Sequence, residues 1–253
     1  MHSVNVAVYM MAFALWQGML YAQIQEAGMG GLLHDLGKIR VPIDILKKRE
    51  QLNDNDWALL RMHVAFTQQV LQTLPSAPSS QTMLRAMREH HERLDGSGYP
   101  DGLRGESIGQ EGRMLAICDV FDAMTSERAY HNAVEPRKVL NVLMEACHQD
   151  NHLDRELVEK FVRCIGIYPT GTLVRLENGY LGVVLRNDPK DLLHPAIRIV
   201  KDGQGRKLST PKRLDLCESS DMKGWRIVGS ETPLRAELDP RHYLPGATHY
   251  FTT

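Results

Sequence analysis

Cysteine is scarce in this sequence, and net charge is nearly absent. The four cysteines, Cys118, Cys147, Cys164 and Cys217, include no CxxC pair. This spacing indicates neither a disulfide framework nor a thiolate zinc site, so we expect free thiols in a reducing cytoplasm. A net charge of −1, with histidines counted as neutral, argues against binding of a nucleic-acid polymer, which usually requires a clearly basic surface.

Long apolar runs are also missing. No stretch reaches the roughly 18 apolar residues that a membrane helix needs. The first twenty residues have the apolar content of a signal peptide, but no Lys or Arg precedes them and Gln17 interrupts them. We therefore expect an amphipathic first helix and no membrane segment. Because this helix begins without a lead-in, we also expect a fragment of a longer protein.

The sequence pattern changes once along the chain. Residues 1–167 show helical periodicity, whereas from residue 168 onwards short runs rich in Val, Ile, Leu and Thr alternate with turn residues. This pattern predicts a mainly α fold, with an all-helical domain at 1–167 and a small antiparallel β subdomain at 168–253. Strands are expected at 172–176, 180–185, 196–200 and 207–210. The last thirty residues are expected to form an extended tail.

Histidines and aspartates supply the strongest chemical signal. The pair His34-Asp35 is accompanied by His63 on an apolar helix face, the doublet His90-His91, and Asp119 in an apolar helix. Each has a structural alternative, because single buried histidines and aspartates are often hydrogen-bonded core residues. Several such groups would nevertheless be costly to bury without partners, and one metal cluster would satisfy them together. Imidazoles and carboxylates without thiolates disfavour a structural zinc site and suit Fe, Mn, Ni or catalytic Zn.

Four segments then occur in order: HDLGKIRVPIDIL, LNDNDWALLRMH, HHERLDGSGYPDGLRGE and ICDVFDAMTSERAYH. With these segments, residues 2–166 resemble the HD-GYP family, a branch of the HD phosphohydrolases. The resemblance implies an all-helical fold, two or three divalent metal ions, and hydrolysis of cyclic di-GMP to pGpG or GMP. The metal ligands that it implies are His2, His34, Asp35, His63, His90, His91 and Asp119.

The resemblance also implies a substrate-binding set. Lys38 would approach the scissile phosphate and act in catalysis beside Asp35, and Arg128 would contact the other phosphate or a guanine. Tyr130 would contact substrate or orient its loop. His131 stands where family members often carry Lys or Arg, so it would hold phosphate less firmly. Members with three metals have a Glu whose position here would precede Met1, so two and three metals both stay open.

The loop formed by Gly96, Gly98, Tyr99 and Pro100 is expected to make a turn with an exposed aromatic tip. The turn would serve as a recognition lip for substrate or for a GGDEF-type partner, or it would be structural. Two other functions stay open: a catalytically weak receptor or scaffold that binds the cyclic dinucleotide or a GGDEF-type partner, and an HD hydrolase with another substrate. The oligomeric state is not determined, with a dimer among the options.

Overall fold

The computed structural model of the protein describes residues 1–48, 50–73, 80–126, 134–148, 151–218 and 223–245. The chain divides into two compact units, residues 1–134 with 138–161, and residues 135–137 with 162–253. Among the described residues, no helix is both long and apolar enough to cross a membrane.

Helices and short 3₁₀ turns account for the regular structure up to residue 165. The α-helices are α1 (His2–Trp16), α2 (Tyr21–Leu33), α3 (Ile43–Leu46), α4 (Asp54–Arg61), α5 (His63–Gln72), α6 (Gln81–Glu89), α7 (Gln110–Thr125), α8 (Pro136–His148) and α9 (Arg155–Ile165). The 3₁₀ turns cover Leu36–Arg40 and Gly105–Ser107.

Aromatic packing forms the core of the helical unit. The fully buried rings of Phe13, Phe121 and Phe161 come from α1, α7 and α9. Phe161 meets Phe13 and Phe121 edge to face, with ring centroids 5.4 Å and 5.2 Å apart. Such contacts stabilise a core beyond the area that they bury. The packing places α7 at the centre of the unit, as its uniformly apolar sequence predicts.

The second unit contains one antiparallel sheet of strands β1 (Leu173–Leu176), β2 (Leu181–Asp188), β3 (Asp191–Lys201), β4 (Lys207–Asp215) and β5 (Ile227–Glu231). The strand order is β4-β3-β2-β1-β5. One apolar cluster includes Val174 and Ile197, and a second includes Leu173 and Val183. The expected class, helices followed by a small antiparallel β subdomain, is confirmed.

The expectation of an extended tail is wrong for part of the last thirty residues. Within them, β5 pairs antiparallel with β1, and a short helix, α10 (Pro233–Ala236), follows with Thr232 as its N-cap. A strand of five residues that includes Gly229 has too weak an alternation to be seen in sequence. Its conformation depends on the open edge of β1, which only tertiary structure provides.

Ile197 and Leu193 on β3 offer a test of where the β core lies. Ile197 is fully buried, whereas Leu193 is 53% exposed. Ile197→Ala should lower the free energy of unfolding by about 2–5 kcal/mol because it opens a cavity, and Leu193→Ala should cost far less. Urea unfolding of both variants measures the difference. Equal effects would contradict the assignment of this core.

Candidate metal centre

Three histidines sit at helix ends and are oriented there by the backbone. His34 ends α2, His63 begins α5 directly after α4, and His90 ends α6. Each ring places Nδ1 at 2.7–2.8 Å from the carbonyl oxygen three residues earlier. A carbonyl can only accept, so Nδ1 carries the proton and Nε2 keeps its lone pair. The last carbonyls of a helix are available for this because they have no partner within it.

The lone pairs left in this way are buried and unpartnered. The Nε2 atoms of His34, His63 and His90 and the Oδ1 atom of Asp35 are all shielded from solvent without a hydrogen bond among the described residues. Leaving so many acceptors unpaired in one place is costly. A cation that accepts electron pairs from all of them would remove that cost, and the cluster could therefore bind metal.

All seven predicted ligands come together in this cluster. Three overlapping groups each have ligand atoms within 4.8 Å of one another. The groups are His63, His90 and His91; His2, His34 and Asp119; and His34, Asp35 and His90. The donors are nitrogen and oxygen only, and the three groups share members. This donor set fits a centre of more than one ion that has borderline or hard character.

His2 is held by a carboxylate that the sequence analysis did not single out. Its Nε2 lies 3.0 Å from Asp119 Oδ1, and its Nδ1 lies 2.6 Å from Asp122 Oδ2. Asp122 is fully buried and also accepts hydrogen bonds from Asn5 and Ser126. This arrangement orients the ring, as carboxylates behind ligating histidines do. The signal in the sequence was the spacing of Asp119 and Asp122, which places both on one side of α7.

Lys38 lies on the 3₁₀ turn that follows His34 and Asp35. Its Nζ is 2.5 Å from Asp35 Oδ2. Burial would raise the pKa of Asp35, but His34 and Lys38 lower it, so the carboxylate stays charged. Likewise, burial would raise the pKa of Asp119, and the contact with His2 holds it well below its usual range. Both aspartates are therefore available as anionic ligands.

Close backbone contact presses this turn against α5. The amide of Gly37 donates to Thr67 Oγ1 at 2.8 Å, and Thr67 in turn reaches the carbonyls of His34 and His63. A Cβ on Gly37 would lie 2.0 Å from the carbonyl oxygen of His63. Only glycine fits there, and Thr67 links the backbones of two candidate ligands.

The Gly-Tyr-Pro loop is held inward, and the expected exposed aromatic tip is wrong. Tyr99 stacks on His91, with ring centroids 4.6 Å apart and an angle of 26° between the planes. Position 98 has room only for glycine, because a Cβ there would lie 2.4 Å from the amide nitrogen of Arg93. The buried carboxylate of Glu92 accepts from the amides at 101 and 103, at 2.7 Å and 3.0 Å. Pro100 is exposed.

Three predicted substrate-binding residues, Arg128, Tyr130 and His131, lie outside the described residues. Lys38 and the Gly96–Pro100 loop are the predicted residues that the structure does bring beside the histidine cluster.

Comparison with known proteins identifies the helical part. The family model described as HD domain matches residues 4–157, more than half of the chain. The chain belongs to the HD domain family. The resemblance drawn from its motifs is thereby confirmed, and the predicted first ligand, His2, lies just outside the matched range.

Several curated proteins are similar to this HD domain chain. A cyclic di-GMP phosphodiesterase of Pseudomonas aeruginosa is 38% identical over 231 residues, which cover 91% of this chain and 54% of that protein. A 3′3′-cGAMP-specific phosphodiesterase of Vibrio cholerae is 33% identical, over 66% of this chain and 35% of that protein. A cyclic di-GMP phosphodiesterase response regulator of Xanthomonas campestris is 39% identical, over 46% and 30%. The chain thus spans about half the length of the first relative and about a third of the others.

Removal of the charge on Asp122 should weaken metal binding without breaking the fold. Asp122→Asn removes the anion behind His2, so we expect the affinity for Mn²⁺ to fall roughly 10- to 100-fold, as for loss of a carboxylate behind a ligand. Equilibrium dialysis with metal analysis measures this. Asp54→Asn, at an exposed position of α4, is the matched control. Unchanged affinity in Asp122→Asn would argue against the orienting role.

Buried histidines should make the metal-free protein sensitive to acid. Burial lowers the pKa of His90 from 6.5 to about 3 and also lowers the pKa of His63 and His91. Between pH values near 6.5 and 3 the unfolded state therefore binds more protons than the folded state. The free energy of unfolding should fall as pH falls through this window, by up to about 1.4 kcal/mol per pH unit for each such histidine.

Urea unfolding after chelation, at about pH 7.5 and about pH 5.5, measures this dependence. His90→Gln should reduce it, and His148→Gln, at an exposed position, should leave it unchanged. The same pH dependence in the wild type and in His90→Gln would refute the contribution assigned to His90.

Proposed function

We propose that this chain hydrolyses the phosphodiester bond of cyclic di-GMP to pGpG, GMP or both, with divalent metal ions bound at the histidine and aspartate cluster. The observation that carries the proposal is the set of buried, unpartnered Nε2 lone pairs beside Asp35 and Asp119. Such a cluster does not stabilise the core by packing, because burying polar atoms without hydrogen-bond partners costs free energy. It is well suited to holding cations next to a phosphate.

The names of the relatives support the choice of substrate class. Two of those compared are named for cyclic di-GMP and one for 3′3′-cGAMP, and all are named as phosphodiesterases. A cyclic dinucleotide with 3′-5′ linkages is the chemistry that these names share. We choose cyclic di-GMP because the relative that covers 91% of this chain carries that name.

Each candidate ligand has a defined part in this proposal. His2, His34, Asp35, His63, His90, His91 and Asp119 would hold two metal ions. The same proposal also allows a centre of three ions. Iron or manganese best fits the mixed donors, and nickel or zinc would also be accepted. When bound, the ions would supply Lewis-acid activation of phosphoryl oxygen and of water.

Lys38 would act on the substrate directly. Its ammonium group lies beside Asp35 and is more than a third exposed, so it can reach an anion at the cluster. In this position it would stabilise charge that develops on the cleaved phosphate. The fixed contact with Asp35 means that little reorganisation is needed when substrate binds.

We assign this activity to the helical domain at residues 1–167, which contains every candidate ligand. The alternative is a catalytically weak receptor or scaffold for the cyclic dinucleotide or for a GGDEF-type partner, and it rests on His131, which lies outside the described residues. Exposed Ser97 and Pro100 are what the loop offers to a partner.

Hydrolysis assays of cyclic di-GMP and 3′3′-cGAMP, followed by chromatography, test the proposal on protein purified without oxygen and reconstituted with Fe²⁺ or Mn²⁺. Product formation should require metal and favour cyclic di-GMP. His34→Ala and Asp35→Ala should abolish both metal loading and turnover, and His148→Ala should preserve both. Full metal loading without any product would reject the enzyme and favour the receptor.

Lys38→Ala separates catalysis from metal binding. Metal content should be retained, and turnover should slow by roughly 10²–10³, as for loss of one preorganised charge donor. Lys47→Ala, at an exposed position, is the control. Full activity in Lys38→Ala would eliminate its proposed role.

A further inference from the structure

An arginine at the end of α4 stands at the edge of the metal cluster. The Arg61 guanidinium carbon lies 5.0 Å from the ring centroid of Tyr99, over its face. Tyr99 in turn stacks on His91 at 4.6 Å. Arg61 is thus separated from a candidate metal ligand by one aromatic ring. This contact leaves the five N–H donors of the guanidinium available, and none of them makes a hydrogen bond among the described residues.

No anion of the described chain uses these donors. Arg61 is exposed, and no carboxylate of the described residues lies within ion-pair distance of it. The Tyr99 hydroxyl has no hydrogen-bond partner among them either. Lys38 differs in this respect, because Asp35 already neutralises it. The edge of the cluster beyond Tyr99 therefore presents donors and positive charge without a matching acceptor.

A second arginine, Arg93, also adds positive charge near the cluster without a carboxylate partner among the described residues. Arg93 is largely buried, and its Nη1 donates to the carbonyls of His90 and Glu92 at 3.3 Å and 2.8 Å. It also has no carboxylate partner within ion-pair distance in the described part of the chain. A partly desolvated cation of this kind gains from an incoming anion.

The position of Arg61 indicates which anion would bind to it. A phosphate that is being cleaved has to lie at the Nε2 atoms of the histidine cluster. The guanidinium of Arg61 contacts Tyr99, and Tyr99 stacks on the candidate ligand His91, so one aromatic ring separates Arg61 from that ligand. An anion at Arg61 would therefore be a different group from the reacting phosphate. A cyclic dinucleotide carries a second phosphate in the same ring.

We propose that Arg61, held over the face of Tyr99, binds the phosphate of the substrate that is not being cleaved, a contact for which the family resemblance implied only Arg128, with a guanine as the alternative ligand of Arg128. The assignment rests on the proposed function only in that it takes a cyclic dinucleotide as the ligand. Arg61 then determines a preference for substrates with two phosphates, and Tyr99 is the platform that positions its guanidinium.

Kinetics on two substrates test the assignment. Arg61→Ala should raise KM for cyclic di-GMP roughly 10- to 100-fold with little change in kcat, as for loss of one charge-assisted contact. It should leave hydrolysis of bis(p-nitrophenyl) phosphate, which has a single phosphate, unchanged. Arg61→Lys should recover part of the loss, since it keeps the charge without the planar stack. Arg40→Ala, an exposed arginine bonded to Gln69, is the matched control.

Base recognition and a merely structural stack give different results. Arginine also binds guanine edges, so KM is measured with cyclic di-GMP, 3′3′-cGAMP and cyclic di-AMP. Equal losses on all three support phosphate binding, and a loss confined to guanine substrates overturns it. Equal losses on cyclic di-GMP and bis(p-nitrophenyl) phosphate would likewise overturn it, because they indicate a disturbed centre.

Calorimetry with pGpG on the Mn²⁺-loaded protein separates this inference from the proposed function. Weaker pGpG binding in Arg61→Ala supports the subsite even if the wild type fails to hydrolyse cyclic di-GMP. Wild-type hydrolysis with neither KM nor pGpG affinity altered in Arg61→Ala overturns the subsite and leaves the function standing. A wild type that neither binds pGpG nor hydrolyses cyclic di-GMP overturns both.

Discussion

The centre depends on one hydrogen bond, in which a buried imidazole donates its Nδ1 proton to the carbonyl three residues earlier. The other ring nitrogen, Nε2, then carries only a lone pair. In this chain that hydrogen bond recurs at His34, His63 and His90, each at the end or the start of a helix. The three rings are thereby set in one tautomer and aimed inward before any ion arrives. The remaining features of the centre depend on this constraint. A ring that was free to rotate could form hydrogen bonds with both nitrogens, and no lone pair would then be available to a metal ion.

The surroundings of the rings serve the same end through close packing and charge. Gly37 allows the turn after His34 to touch α5, and Thr67 joins the two backbones at that contact. Asp122 does for His2 what the carbonyls do for the other rings. Asp35 and Asp119 stay ionised despite burial because cations and imidazoles face them. A neutral cage of histidines is therefore combined with two anions, which suits hard or borderline cations.

Positive charge around the cluster is arranged in two ways. Lys38 is paired with Asp35 at the centre, whereas Arg61 and Arg93 have no carboxylate partner among the described residues. The Gly-Tyr-Pro loop links these arrangements, since Tyr99 lies between His91 and Arg61. The helical unit brings the candidate ligands together, and the stack of Tyr99 on His91 places the cation of Arg61 one ring away from them. The loop, for which substrate recognition, partner recognition and a structural turn were all open, stacks its tyrosine on the candidate ligand His91.

The sequence by itself determined the class of fold, the central position of α7 and the residue types of the centre. These follow from periodicity, local hydrogen bonding and motif spacing, which act over a few residues. Tertiary structure decided that β5 forms, because its partner β1 lies more than fifty residues away in the chain. It also decided that Tyr99 faces inward, that Asp122 supports His2 across 120 residues, and that Arg61 stands over Tyr99. Such contacts depend on which elements pack together, and no local pattern encodes the distance between side chains so far apart in sequence.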